Sequence, residues 1–266
     1  MISDKAFATL RPDKTAGHPI MRLAVISDIH ANAAALEACL RQCESLDVTQ
    51  LVFLGDLVGY GPDPEAVVSR IVHLARQGAI VIRGNHDEAV DHDSPDMHDA
   101  ALQAIRWTRG QLGDASRRFL AGLPMTATVD DVLLVHGDAS DPPRWRYVTD
   151  AVAAGRSLAA ATARVTLCGH VHVPALYCLT ALGRVILHNP ASEVPIPLGR
   201  RHRWLAVAGA AGQPRDGNPA ASFLTYDTAS GELVYRRAAY DVEATVARMR
   251  AAGLPERLAE RLLTGH

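Results

Sequence analysis

The chain has 266 residues, 48% of them hydrophobic, and its 27 basic and 29 acidic side chains leave a net charge of −2. That length suits one α/β or layered β domain with a sizeable core. With no basic tract or face, and no run of 18 uninterrupted apolar residues, neither stable nucleic-acid binding nor membrane association is expected.

Residues 1–20 carry no clear period and no continuous apolar stretch of the secretory type, so they read as a loose extension before a single domain over 21–266. Leu23–Ser27 is a buried-strand run, and Ala33–Glu44 follows as a helix with Leu36 and Leu40 on one face. Leu51–Leu54 is a second strand, and Pro64–Gln77 a second helix with Val67, Val68, Ile71 and Leu74 at helical spacing. Ala79–Ile82 is a third strand. This alternation is the pattern of an α/β layer. Met97–Leu123 reads as mostly helical, ended by Pro124. Leu133–Val135 is a strand, Asp150–Thr162 a helix capped by Asp150, and Val165–Cys168 another strand. The chain then turns to strands at Leu176–Ala181, Val185–His188, Trp204–Val207, Phe223–Tyr226 and Leu233–Arg237. Two short helices broken at Gly253-Leu254-Pro255 complete it over Val242–Leu263.

The cysteines, Cys39, Cys43, Cys168 and Cys178, form no Cys-x-x-Cys pair. They read as core thiols in a reducing compartment, hence a cytoplasmic protein.

Five motifs carry the chemistry: Asp28-Ile29-His30, Gly55-Asp56, Gly84-Asn85-His86-Asp87, His136-Gly137 and Gly169-His170-Val171-His172. Most follow directly on a strand. Carboxylate, imidazole and amide oxygen are ligands for divalent metals such as manganese, iron or zinc, with manganese the first expectation. On a strand, residues i and i+2 share a side, so Asp28 with His30, and His170 with His172, are each expected to aim at one point. A dinuclear site also needs a bridge with two acceptor oxygens, and Asp56 is the candidate. A hydroxide held between two metals can attack phosphorus in line while the ions stabilise the attacking and leaving oxygens.

The ordered set resembles the calcineurin-like metallophosphoesterase superfamily, over about Leu23 to His172 with no motif missing. The segments Gly55–Pro64 and Gly212–Pro219 resemble its bacterial branch of small soluble phosphoesterases and phosphodiesterases. The resemblance implies a four-layer αββα sandwich, with two mixed β-sheets flanked by helices, and a metal-dependent phosphoric ester hydrolase. By position, one metal takes Asp28, His30, Asp56 and His172, and the other Asp56, Asn85, His136 and His170. His86 matches the non-ligand histidine that assists at the transition state or the leaving oxygen, and Asp87 is expected to orient it. The implied substrate is a small phosphoester: a nucleotide phosphodiester or dinucleoside polyphosphate, alternatively a phosphomonoester. A metal-stapled scaffold is the other class; such proteins tend to lose a ligand or the non-ligand histidine, and here both are kept.

Two departures bear on substrate. Relatives that act as protein phosphatases or symmetric dinucleoside tetraphosphate hydrolases carry an arginine where Tyr60 stands, so a guanidinium clamp is missing there. Gly209-Ala210-Ala211-Gly212 replaces Gly-Ser-Val-Gly and removes a hydroxyl. Tyr60 either stacks on a base or packs a Gly-Tyr-Gly-Pro turn. Arg215, in a Gly/Pro-rich turn, is a candidate for substrate binding, loop closure or a subunit contact. The other histidines (His18, His73, His92, His98, His188, His202 and His266) read as ordinary surface residues. The acidic loop of Asp91, Asp93, Asp96 and Asp99, and the basic run Arg200, Arg201, Arg203, read as solvated.

Overall fold

The computed structural model describes residues 21–92 and 97–266. The expected extension over 1–20, His18, Asp93 and Asp96 lie outside the described residues.

Two six-stranded mixed sheets are packed face to face. In the first, β1 (Arg22–Ile26), β2 (Gln50–Phe53) and β3 (Ile80–Val81) run parallel, joined by helices α1 (Ala33–Cys43) and α2 (Pro64–Arg76). The late strands β11 (Ala221–Asp227) and β12 (Glu232–Ala238) add antiparallel on the other side of β1. The short β9 (Ile196–Pro197) closes that edge. The second sheet has the order β4 (Thr126–Val129), β5 (Val132–Val135), β6 (Val165–Cys168), β10 (Arg203–Val207), β7 (Ala175–Leu179), β8 (Val185–His188).

Alternation along the strands makes the layers. Leu23 and Val25 of β1 and Val52 of β2 face Leu134, Leu167 and Ala206 of the second sheet. Ala24, Ile26 and Phe53 face the other way, against Leu36 and Leu40 of α1 and Val67, Val68 and Ile71 of α2. On the far side, Tyr177, Leu205 and Val207 pack on Ala154 and Leu158 of α6 (Ala151–Ala160). The layers are therefore helix, sheet, sheet, helix, as the sequence implied.

The helix starts are chemically marked. The Asn32 side chain accepts from Ala35 N at 3.1 Å, and Asp150 accepts from Val152 N and Ala153 N, both at 2.8 Å. The helical stretch after Met97 is two helices, α4 (Asp99–Gln111) and α5 (Asp114–Ala121). The C-terminal pair α7 (Val242–Ala251) and α8 (Glu256–Thr264) folds back through Val246, Met249 and Leu258 onto Ala104 of α4. Four elements among the described residues lie outside the sequence expectation: β4, β9, α3, a single turn over Asn85–Glu88, and a short 3-10 turn over Pro142–Arg144. The basic run is also not simply solvated. Arg203 donates to the carbonyls of Leu158, Ala161 and Ala163 and so closes the C-terminal end of α6.

Candidate metal centre

The carboxyl ends of β1, β2 and β3 lie along one edge of the first sheet, and those of β5 and β6 along one edge of the second. Loops leaving these five ends converge. Asp28 and His30 come from the first, Asp56 from the second, Asn85 and His86 from the third, His136 from β5, and His170 with His172 from β6.

Strand alternation does not aim the Asp-x-His and His-x-His pairs, contrary to the sequence expectation. β1 ends at Ile26 and β6 at Cys168, before either pair begins. Asp28, His30, Asp56, Tyr60, His170 and His172 all have left-handed backbones, with φ between 48° and 67°. Non-glycine residues rarely adopt this region, and each one costs on the order of 1–3 kcal/mol. The surrounding hydrogen bonds enforce it: His30 N donates to Asp56 O at 2.9 Å, and Gly169 N to His136 O at 2.9 Å. The glycines serve close approach. A Cβ on Gly84 would stand 2.2 Å from Asp56 N and from its Oδ1. One on Gly169 would stand 1.9 Å from Ser27 Oγ and 2.5 Å from Asp28 Oδ2.

Each histidine of the cluster donates one ring N–H to a main-chain carbonyl. His30 Nδ1 reaches Val58 O at 3.1 Å, His136 Nδ1 reaches Leu54 O at 2.7 Å, and His172 Nδ1 reaches Gln213 O at 2.7 Å. His170 is turned over, with Nε2 on Trp145 O at 2.8 Å. A carbonyl only accepts, so in the neutral rings these bonds fix the tautomers and leave the opposite nitrogen of each ring as a lone pair. Those lone pairs face each other: His30 Nε2 lies 3.1 Å from His172 Nε2, and His136 Nε2 lies 3.1 Å from His170 Nδ1. In the neutral rings these are two acceptors aimed at each other, which repel unless a proton or a metal cation lies between them. Nitrogens bound to one ion at about 2.0–2.1 Å sit roughly 3 Å apart, so the spacing fits.

The carboxylates complete two overlapping groups, Asp28–His30–Asp56–His172 and Asp56–His136–His170, whose ligand atoms lie within 4.8 Å of one another. Asp56 belongs to both. Asn85 Oδ1 is 3.2 Å from His136 Nε2 and points into the second group. All these side chains except Asn85 are buried. Burial alone would raise Asp28, but His172 and His136 together outweigh it and hold Asp28 below the carboxylate range. Burial opposes a proton on His136, yet Asp56, 3.3 Å from Nε2, overcomes it and pushes His136 up to about 9. The donor set thus calls for positive charge and fits divalent cations.

His86 is buried beside the cluster. Its N–H donates to Asp56 Oδ1 at 2.8 Å, its ring stands 4.7 Å from the His30 ring, and Nδ1 has no partner among the described residues. Burial pushes its ring down to about 4, against the pull of Asp56. Asp87 does not spend its oxygens on the His86 ring. Oδ1 accepts from Leu57 N at 2.8 Å and Val58 N at 3.4 Å, and Oδ2 accepts from Gly84 N at 2.9 Å. It ties the loops of Asp56 and His86 together, because three unpaired N–H groups converge there. Burial and the Asp56 charge push Asp87 up to about 7, against these donors.

Tyr60 and Arg215 meet at the rim. The Tyr60 ring is 4.3 Å from the His30 ring and 4.5 Å from the His86 ring, and the Arg215 guanidinium carbon stands 5.7 Å from its centroid. The guanidinium missing at position 60 is thus brought in from elsewhere in the chain. Three neighbours were not singled out in the sequence. Tyr147, 54% exposed, stacks on His170 at 4.0 Å, and Arg257 and Arg261 of α8 line the same rim. Only the spacing of the two arginines, one turn apart, could have signalled them. The 209–212 segment acts through its backbone: Ala211 N donates to Ser27 O and Gly212 N to Asp28 O, each at 2.9 Å.

The model of the calcineurin-like phosphoesterase superfamily domain matches residues 21–231. The chain belongs to this superfamily. It is a metal-dependent phosphoric ester hydrolase of that family. A metallophosphoesterase from Sphaerobacter thermophilus is 35% identical, with a TM-score of 0.82 over 92% of this chain and 100% of that one. An uncharacterized protein of Methanocaldococcus jannaschii is 31% identical over 91% of this chain and 98% of its own length. A hypothetical protein of Pyrococcus horikoshii, at 21% identity, shares the fold with a TM-score of 0.76, covering 92% of this chain and 99% of that one. Among the described residues, no helix of this phosphoesterase is long and apolar enough to cross a membrane.

Proposed function

We propose that the enzyme hydrolyses a small phosphodiester, either a nucleotide diester or a dinucleoside polyphosphate, with two divalent cations, manganese first. The observation that carries this reading is the pair of overlapping ligand groups sharing Asp56, with every histidine tautomer set by a carbonyl. Asp28, His30, Asp56 and His172 would hold one ion, and Asp56, Asn85, His136 and His170 the other. Such a pair supplies an activated water and stabilises charge on the attacking and leaving oxygens of phosphorus.

The chain's own residues do the rest. Asp56 keeps the two groups in register and, through its Oδ1, fixes the main chain of His86. His86 is the group we assign to the departing oxygen, since it lies beside the ligands without being one of them. Asp87 holds the loop geometry. The Tyr147 ring, exposed and stacked by one face on His170, borders the ligands and offers its other face for a base, whose stacking is worth about 1–3 kcal/mol, while Tyr60 packs between His30, His86 and Arg215. That favours an ester with an aromatic group over an inorganic or peptide substrate. The four buried free thiols suit a reducing compartment, and we place the enzyme in the cytoplasm.

The test is hydrolysis by metal-stripped protein re-supplied with manganese. p-Nitrophenyl phosphate, bis-p-nitrophenyl phosphate and a dinucleoside polyphosphate are compared. Preference for the diester or the dinucleotide is expected. Preference for the monoester would make it a phosphatase, and inertness toward all three would return the scaffold reading.

A further inference from the structure

Beside the metal centre lies a cleft of about 150 Å³ whose polar lining is Tyr60, His98, Tyr147, Arg215, Arg257 and Arg261. Three of its residues also adjoin the centre. Tyr60 packs on His30, Tyr147 stacks on His170, and the main-chain N–H of Arg215 donates to His172 O at 3.2 Å.

The charge in this cleft is unbalanced. Arg257 and Arg261 are four residues apart on α8 and so share a face. Arg215 is oriented by its bond from Nη2 to Gln213 Oε1 at 2.9 Å, while its Nε is buried without a partner. Among the described residues, no carboxylate pairs with any of these three guanidiniums. The contrast with the neighbouring arginines is clear: Arg248 pairs with Asp63 at 3.0 Å, Arg250 with Glu256, and Arg237 with Asp216. Burial and the charges of Arg215 and Arg257 lower Arg261, with Tyr60 opposing. Three like charges gathered around a small hollow, one with a buried unused donor, are stabilised by an anion that enters it.

The size of the cleft narrows the anion. Sites that enclose a drug-sized ligand run to about 300–1,000 Å³. The cleft is well below that range, so it suits one or two phosphoryl groups, with the base of the same substrate left outside it against the exposed ring of Tyr147. We infer that this cleft is a subsite for a second phosphate of the substrate, remote from the phosphorus attacked at the metals. This rests on the phosphodiesterase reading above and narrows it to substrates with a chain of phosphates.

Manganese-loaded wild-type protein and R257Q/R261Q are titrated with tripolyphosphate by calorimetry. Chelation in solution is common to both arms. At least a tenfold loss of affinity is expected in the variant. Equal affinities, or no binding by the wild type, would overturn the subsite. The exposed Arg257 allows the single variant R257Q as a control that does not threaten the fold, with a weakening of about threefold or more expected; an unchanged affinity counts against it. In parallel, kcat/KM is measured on bis-p-nitrophenyl phosphate and on a dinucleoside tetraphosphate. The loss on the tetraphosphate is expected to exceed that on the diester at least tenfold, chiefly in KM; equal losses would overturn the subsite. A wild type that cleaves neither compound would sink the phosphodiesterase reading, while the calorimetric comparison would still decide the cleft.

Discussion

Replacing Asp87 by alanine is expected to damage the framework of the site before its chemistry. The carboxylate accepts from Leu57 N at 2.8 Å, Gly84 N at 2.9 Å and, more weakly, Val58 N at 3.4 Å, with the side chain buried. Leaving a buried donor unpaired costs about 1–3 kcal/mol. The two short bonds therefore set a loss of roughly 2–6 kcal/mol, a large share of a typical total of about 5–15 kcal/mol. The Asp56 charge repels Asp87. Removing Asp87 relieves that repulsion, so the loss should fall near the lower figure without metal and rise when cations neutralise Asp56. Asp87→Asn keeps one acceptor and is expected to lose about half as much. Urea unfolding of both variants, metal-free and manganese-loaded, gives the stabilities, and kcat at saturating manganese gives the chemistry. If Asp87→Ala stays within about 1 kcal/mol of the wild type while kcat falls a hundredfold or more, Asp87 acts on His86 after all.

Two further outcomes follow from the same geometry. His86→Ala is expected to keep its bound metal, measured by plasma emission, and to lose about 10²–10⁴-fold in kcat, as removal of general acid help does; an unchanged rate removes His86 from the reaction. Gly169→Ala places a Cβ 2.5 Å from Asp28 Oδ2 and is expected to bind fewer than two metal ions per chain; two ions retained at wild-type affinity would mean that the loop yields without moving Asp28.

The seven candidate ligands stand out in the sequence because metal chemistry limits residue types, and because the chain presents them where strands such as β1 and β6 stop. The way they are aimed was not legible. Asp-x-His looks like strand alternation, but the left-handed backbones of Asp28 and His30 are enforced by partners from β2's loop, 26 or more residues away in sequence. The missed elements are those with little periodicity to read. β4 is a largely exposed Thr-Ala-Thr-Val edge, β9 is two residues with a proline, and α3 is one turn held by Asp87. Tyr60 was judged by its place in the chain alone. The guanidinium near it comes from Arg215, and its other companions come from α8, nearly 200 residues later. No local pattern joins such distant residues; only the packing of α7 and α8 on α4 brings them there.

The candidate ligands are divided between the two sheets. Asp28, His30, Asp56 and Asn85 hang from the first, and His136, His170 and His172 from the second. Between the sheets lies a largely apolar interface, non-directional by nature, crossed by hydrogen bonds such as Tyr235 Oη to Ala175 O and Arg164 Nη2 to Tyr226 Oη. An ion held by Asp28 and His172, or by Asp56 and His136, as proposed, would be a rivet through both plates at one end. It would resist sliding and opening of the sandwich, motions that the apolar contacts oppose only weakly. Occupancy at 100 times the dissociation constant adds about 2.7 kcal/mol to the folded state. The cell's supply of the ion would then govern the enzyme's lifetime as well as its turnover.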